Sequence, residues 1–264
     1  MKPDYRNWVP ESMVIGAAAG SACAFGLAAY IRGSGLVKDR VTKNILSGGL
    51  ALTGAGAAAA ALWLKALHDA FSYDGKRQLA KQIIENTAGY VQLPAGGKGL
   101  DVGCGSGALT IACAKRNPQA VMTGCDIWSG AYKAVFTKKV CEQNAEAEGV
   151  SNVCFEEGNA VHLPYADETF DAVTSNYVYH NIAGHNKQEL LLETLRVLKK
   201  GGTFAIHDLM SEARCGDMDA FIEKLKKDGY EDVRLIATAD GTVMSPKEAA
   251  LLGLGGSALL TGRK

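Results

Sequence analysis

The segment LDVGCGSGALT, Leu100–Thr110, limits what this chain can fold into more than any other stretch of its 264 residues. GLDV is a short apolar run that closes on an acid, which suits a buried strand. ALTIACAKRNP carries apolar residues at helical spacing and ends at Pro118, which suits a helix. Gly103, Gly105 and Gly107 therefore occupy a strand-to-helix turn. Glycine there permits positive φ and lets a ligand lie against the backbone with no Cβ in the way. A helix starting near Ser106 would present free N–H groups to an anionic group.

Two ligand classes use such a turn. A dinucleotide fold carries G-x-G-x-x-G with a pyrophosphate on the helix end. Here the spacing is G-x-G-x-G and Asp101 stands just before it. A carboxylate there would repel a pyrophosphate and attract an ammonium. The loop thus suits a nucleoside that bears an amino acid better than NAD.

The chain beyond the loop alternates strand and helix patterns. AVMTGCDIW reads as a second strand ending at Asp126, about 20 residues past the glycines, where an acid takes ribose hydroxyls in nucleotide-binding folds. A helix N-cap is the other role for an aspartate there, and one residue can serve both. A long helix is expected over Tyr132–Glu148. VCFEEG is a third strand, GNAVHLP a turn, and FDAVTSNYVYH a fourth strand on which Tyr177 and Tyr179 would share a face. LLETLRVLKKGG reads as a helix with a glycine C-cap, followed by strand TFAIHDL. The expected fold is α/β, a doubly wound, Rossmann-like, mostly parallel sheet.

This series resembles the class I S-adenosylmethionine-dependent methyltransferases over nearly all of Tyr73–Lys264. LDVGCGSG looks like that family's first motif, and Asp126 matches the acid that ends its second strand. GNAVHLPYADETFDAV and LRVLKKGGTFAI look like two further motifs, in order, with the flavour of quinone- and sterol-type small-molecule enzymes. The resemblance implies S-adenosylmethionine as cofactor. It implies that backbone around Gly103, Cys104, Gly105 and Gly107 holds the methionine part, with Asp101 near its amine. It implies that Asp126 binds the ribose, that Ile127 and Trp128 flank the adenine, and that Asn159 and Ala160 read the adenine edge. Asn176 would end the fourth strand beneath the methionine group. The family usually has Asp where this chain has Asn159; an Asn carbonyl still accepts from the adenine amine. Lys200 replaces the usual proline before Gly201 and Gly202.

Methyl transfer from a sulfonium needs alignment and exclusion of water, and a base only where the nucleophile must lose a proton. Tyr177, Tyr179, His180, His207 and Asp208 lie after the fourth and fifth strands, where such sheets open their crevice. His180 is the first choice as base because imidazole titrates near neutrality. A loop histidine bonded to backbone is the competing role. His180 and His185 are five apart, a poor fit to a metal pair, so no metal is assigned.

Hydropathy divides the chain. Residues 12–31 and 44–64 are apolar and free of charge, each about the length of helix that crosses a hydrocarbon core. Gly16 and Gly20 stand four apart, as do Ala22 and Gly26, and Ala55 and Ala59, a spacing that lets helices approach in lipid. The expectation is an all-α helical hairpin over 1–70, a membrane anchor through residues 12–31 and 44–64, before a methyltransferase domain over 71–264. A soluble helix pair and a signal peptide are the alternatives. Orientation stays open: Arg32, Lys38, Arg40 and Lys43 in the connector compete with Lys2, Arg6, Lys76 and Arg77 for the cytoplasmic side.

Lys plus Arg and Asp plus Glu balance at 28 each, so nothing points to nucleic acid. Seven cysteines without a CxxC pair read as free thiols in a reducing compartment. The functional expectation is methyl transfer to a small, lipophilic or membrane-associated acceptor by a membrane-anchored chain whose catalytic domain lies in the cytoplasm. A membrane-anchored protein that binds the cofactor without turnover is the alternative, and a nucleotide-dependent oxidoreductase a weaker third.

Overall fold

A computed structural model describes residues 2–129 and 136–264. The chain divides into two compact units, one spanning Asn7–Gln78 and one made of Met1–Arg6 together with Leu79–Lys264.

The first unit is a pair of helices, α1 (Glu11–Gly33) and α2 (Arg40–Phe71). Asp39 starts α2 by accepting the Thr42 N–H at 2.7 Å. The helices meet through small residues seven apart, Ser21 and Ala28 on α1 and Ser47, Gly54 and Ala61 on α2, all buried. Ser21 Oγ donates to the Gly54 carbonyl at 2.8 Å. A Cβ on Gly54 would lie 3.0 Å from the Phe25 ring, so a larger residue there would require that ring to shift. Gly16, Gly20 and Gly26 have nothing within 4 Å of a Cβ. The seam therefore uses a heptad of small residues rather than the four-residue spacing the sequence suggested. A heptad keeps one stripe facing its partner along a long helix pair. Both helices are long and apolar enough to cross a membrane, and only 11% of each apolar window is buried within the chain.

The second unit holds a seven-stranded sheet in the order β3-β2-β1-β4-β5-β7-β6. Its strands are β1 (Lys98–Val102), β2 (Val121–Asp126), β3 (Val153–Glu157), β4 (Phe170–Asn176), β5 (Leu198–Leu209), β6 (Glu231–Ala237) and β7 (Ser257–Arg263). All pairs from β3 to β5 are parallel, and β7 runs antiparallel to both β5 and β6. The helices are α3 (Leu79–Ala88), α4 (Ala108–Arg116), α5 (Lys138–Ala147), α6 (Lys187–Arg196), α7 (Glu212–Cys215), α8 (Met218–Lys227) and α9 (Pro246–Leu252). Helix α4 is buried along Ala108–Ala114, and the core beneath includes Leu100, Val102, Met122, Val173, Phe204 and Ile206. Such an architecture is a doubly wound, Rossmann-like α/β fold with an antiparallel edge. The strand order reverses between β1 and β4, which places a crevice at their carboxyl ends.

Three local expectations change. Residues 132–135 of the helix expected over Tyr132–Glu148 lie outside the described residues; α5 itself starts at Lys138, where Thr137 caps it by accepting the Val140 N–H. Strand β4 stops at Asn176, because Tyr177 turns to φ +54° and a single 3-10 turn follows over Tyr179–Asn181. Helix α6 ends at Arg196, and LKKGG joins β5 instead. The chain can do so because Gly201 takes φ +79°, and a Cβ on Gly202 would sit 2.9 Å from two backbone carbonyls. Lys264 Nζ then donates to the Leu195 and Leu198 carbonyls at 2.9 and 2.8 Å, closing the end of α6.

Candidate functional site

The turn after β1 carries positive φ at all three glycines: +72° at Gly103, +57° at Gly105 and +81° at Gly107. Their surroundings differ. A Cβ on Gly103 would collide with Val178, which follows β4, and one on Gly107 would meet the Phe155 ring at 3.0 Å. Among the described residues, a Cβ on Gly105 would find only Phe136, at 4.0 Å. Gly105 thus presents the open face of the turn. The amides of Gly103 and Cys104 both donate to the Cys125 carbonyl, at 2.8 and 3.1 Å, and that of Gly107 to Cys104. These donors are spent inside the fold, so the turn offers a ligand its open α-carbon face and the start of α4 rather than those amides. Cys104 is buried, which pushes its thiol well above the ordinary cysteine range.

Asp101 ends up deeper than the sequence suggested, only 1% exposed. Thr110 Oγ1 donates to Oδ2 at 2.6 Å and Thr174 Oγ1 to Oδ1 at 3.0 Å. Burial raises its pKa to about 7, against the pull of the two hydroxyls. Neither threonine was singled out from the sequence. The available signal was a lone polar residue in the apolar run of α4 and another in β4.

Asp126 closes β2 at the neighbouring corner. Its Oδ2 accepts the Gly105 N–H at 2.9 Å and its Oδ1 the Trp128 N–H at 2.8 Å. A carboxylate has about four lone-pair sites, so two remain for other donors. The Trp128 indole donates to the Gly105 carbonyl at 3.0 Å, and Ile127 beside it is exposed. Gly158 N–H donates to the Asp126 carbonyl, which brings the turn after β3 to this corner. There Asn159 is exposed and its Oδ1 accepts the Val161 N–H at 2.9 Å, while Ala160 is buried. The glycine turn, Asp126, Ile127, Trp128, Asn159 and Ala160 therefore gather on one side of the crevice.

The exits of β4 and β5 form the other side. Asn176 pairs with His207 in register, and its Oδ1 lies 2.9 Å from His207 Nδ1. His207 Nε2 lies 2.8 Å from Thr238 Oγ1. Both ring nitrogens are engaged, and burial lowers the His207 pKa to about 4, so this imidazole is neutral near pH 7. His180 differs. Its Nδ1 lies 2.5 Å from Asp208 Oδ1. Asp208 is buried and also accepts the N–H groups of Tyr179, at 2.7 Å, and Leu209, at 2.7 Å. Backbone donors fix the carboxylate, and the carboxylate fixes the imidazole. With Nδ1–H donating to Asp208, the Nε2 lone pair of His180 faces away and makes no hydrogen bond among the described residues. Tyr177 Oη sits 2.6 Å from Ser257 Oγ, and its ring packs edge-on to His180 at 5.8 Å. Tyr179 is buried with Oη 2.7 Å from Thr194 Oγ1 and belongs to the core. The two tyrosines thus share no strand face.

Residues 100–206 match the family model described as a methyltransferase domain. A 27-O-demethylrifamycin SV methyltransferase of Amycolatopsis mediterranei is 27% identical over 179 residues, 67% of this chain and 63% of that protein. A demethylmenaquinone methyltransferase of Lactobacillus johnsonii is 35% identical over 117 residues, 44% of this chain and 45% of its own length. The chain thus spans less than two thirds of these relatives. Among solved structures, the [4+2]-cyclase SpnF superposes with TM-score 0.54 at 23% identity, covering 71% of this chain and 82% of that one. Geranyl diphosphate methyltransferase in complex with GPP and sinefungin superposes with TM-score 0.53 at 13% identity, covering 76% and 82%. Over residues 100–206, which hold the glycine turn, Asp126, Asn159, Asn176 and His180, this chain is similar to S-adenosylmethionine-dependent methyltransferase domains, and S-adenosylmethionine is the cofactor that likeness indicates.

Proposed function

We propose that this chain transfers a methyl group from S-adenosylmethionine to a hydroxyl of a small lipophilic acceptor, with His180 as the base. The observation that carries the reading is the pairing of two fixed corners across one switch point: Gly105 bonded to Asp126 on one side, and His180 bonded to Asp208 on the other. The open face at Gly105 is a cradle that a Cβ would fill, which fits a flat or chain-like ligand part lying on backbone. Asp126 has lone pairs left for ribose hydroxyls, Ile127 and Trp128 would flank the adenine, and Asn159 and Ala160 would meet its edge. Asp101 and Asn176 would lie toward the methionine end. When bound, the cofactor supplies a methyl group on a sulfonium, open to in-line displacement. His180 Nε2 takes the acceptor proton, and Asp208 holds the imidazole in the tautomer that leaves Nε2 unprotonated and stabilises the imidazolium that forms.

The helical unit supports the lipophilic half of the reading. Met13, Ile15, Leu52 and Leu62 are exposed on helices that bury little of themselves within the chain. Residues 12–31 and 44–64 would lie in the bilayer, with the sheet unit on the cytoplasmic face. The relative from Amycolatopsis carries an O-demethyl rifamycin in its name and that from Lactobacillus a demethylmenaquinone, which favours acceptors of that physical kind.

The test uses the full chain in native membranes with methyl-labelled S-adenosylmethionine. Label should enter an organic-phase product, and the chain should stay in the pellet after alkaline carbonate. Cofactor binding with no transfer to any lipid extract would leave the binding-without-turnover reading standing. Release by carbonate would remove the anchor.

A further inference from the structure

Residues 2–6 are separated in sequence from the sheet unit by the helix pair, yet they belong to it. They lie against the back of the glycine turn. Asn144 on α5 treats Asp4 as a strand would: its Oδ1 accepts the Asp4 N–H at 2.7 Å and its Nδ2 donates to the Asp4 carbonyl at 3.0 Å. The same Nδ2 donates to the Ser106 carbonyl at 3.0 Å. Ser106 Oγ donates to the Tyr5 carbonyl at 2.7 Å, and Tyr5 Oη donates to Glu148 Oε1 at 2.9 Å. Tyr5, Ser106 and Asn144 are all buried. Ser106 stands between two glycines held at positive φ, and both its carbonyl and its hydroxyl are engaged, by Asn144 and by Tyr5. A turn with three left-handed residues loses more backbone entropy on ordering than an ordinary one, and outside contacts must offset that loss.

We propose that segment 2–6 is a positioning element for the cofactor: by clamping Ser106 through Asn144 and Tyr5, it keeps the glycine turn in its binding-competent shape. The inference rests on the functional reading above for the identity of the ligand, and not for the clamp itself. Tyr5, Ser106 and Asn144 are positioning residues, acting through the turn. A free turn samples other shapes, and the affinity falls by the fraction of time it spends in them.

The experiment compares full-length wild type with Tyr5→Ala, Tyr5→Phe and Arg6→Ala, titrated calorimetrically with S-adenosylhomocysteine. Tyr5→Ala should raise the cofactor Kd at least fivefold while kcat at saturating cofactor stays within twofold, and Tyr5→Phe should recover most of the affinity. Arg6→Ala, which removes only an exposed pair with Asp4, should leave Kd unchanged. Amide exchange at Ser106 and Gly107, measured without cofactor, should quicken most in Tyr5→Ala, less in Tyr5→Phe and not at all in Arg6→Ala. A Kd within twofold of wild type for Tyr5→Ala, or unchanged exchange at the turn, overturns the proposal. Should Tyr5→Ala not fold, exchange in Tyr5→Phe decides, since loss of the Glu148 bond alone should still quicken it. A wild-type chain that takes up no cofactor but shows the exchange effect overturns the functional reading and leaves the clamp.

Discussion

Replacing Asp101 with Asn should change how stability depends on pH, by an amount that follows from the site. The carboxyl is buried, and its pKa rises from 3.8 to about 7. Between those values the folded chain keeps a proton that the unfolded chain has released. Stability therefore falls as pH climbs through that window, and the contribution is complete below pH 3.8 and lost above about 7. The window spans roughly three decades of proton activity at 1.36 kcal/mol each, so Asp101 alone costs about 4 kcal/mol at pH 8 relative to pH 4. Asn fills the same space and has no charge to desolvate. Thr110 and Thr174 can donate to its oxygen or accept from its amide, since a hydroxyl does both. The stability difference between Asp101→Asn and wild type should thus swing by about 4 kcal/mol toward the variant between pH 4 and pH 8. Urea unfolding followed at Trp128, with Trp8 and Trp63 changed to Phe, reads the sheet unit. Parallel pH profiles for the two proteins would refute the argument. Under the proposed function, the variant should also bind S-adenosylmethionine more weakly while unfolding at higher urea above pH 7.

Further outcomes follow from the site. His180→Ala and Asp208→Asn should each lower kcat by about 10²–10⁴-fold, the range of a lost general base, with cofactor Kd unchanged; His180→Ala within threefold of wild type would remove the base. Asp208→Asn should in addition unfold earlier, because its amide cannot accept from both the Tyr179 and Leu209 N–H groups and His180. Gly107→Ala should cost about 1–3 kcal/mol in thermal unfolding, since a Cβ there meets the Phe155 ring in a left-handed backbone. Gly105→Ala has more room for its methyl but the same left-handed backbone, at φ +57°, so it should cost about 1 kcal/mol in thermal unfolding and lose cofactor affinity as well.

What the sequence disclosed depended on how local each cause is. The glycine turn was readable because left-handed backbone leaves its mark in residue type, and Asp126 because an acid closing a strand stands out from its apolar neighbours. The fold class followed from alternating periods over β1 to β5. Strands β6 and β7 were not read, since EDVRLIA and SALLTGR carry little alternation and pair only with distant partners. The end of β4 was misplaced because nothing in YVYH betrays that Tyr177 turns to positive φ. His180, on the 3-10 turn, and Asp208, near the end of β5, lie 28 residues apart, so each was a candidate while their bond was invisible. Asp101 was visible as an acid but not as a buried one, since its burial depends on Thr110 and Thr174. In the helix pair, many small residues offered several spacings, and packing chose the heptad.

The order of synthesis gives the contact between Asp4 and Asn144 a further meaning. Those residues are 140 positions apart. At ribosomal speeds of about 5–20 residues per second, segment 2–6 waits roughly 7–30 s for its partner to be made. Both apolar helices emerge during that delay. A nascent chain would thus commit them to their surroundings before Asn144 could draw segment 2–6 onto α5.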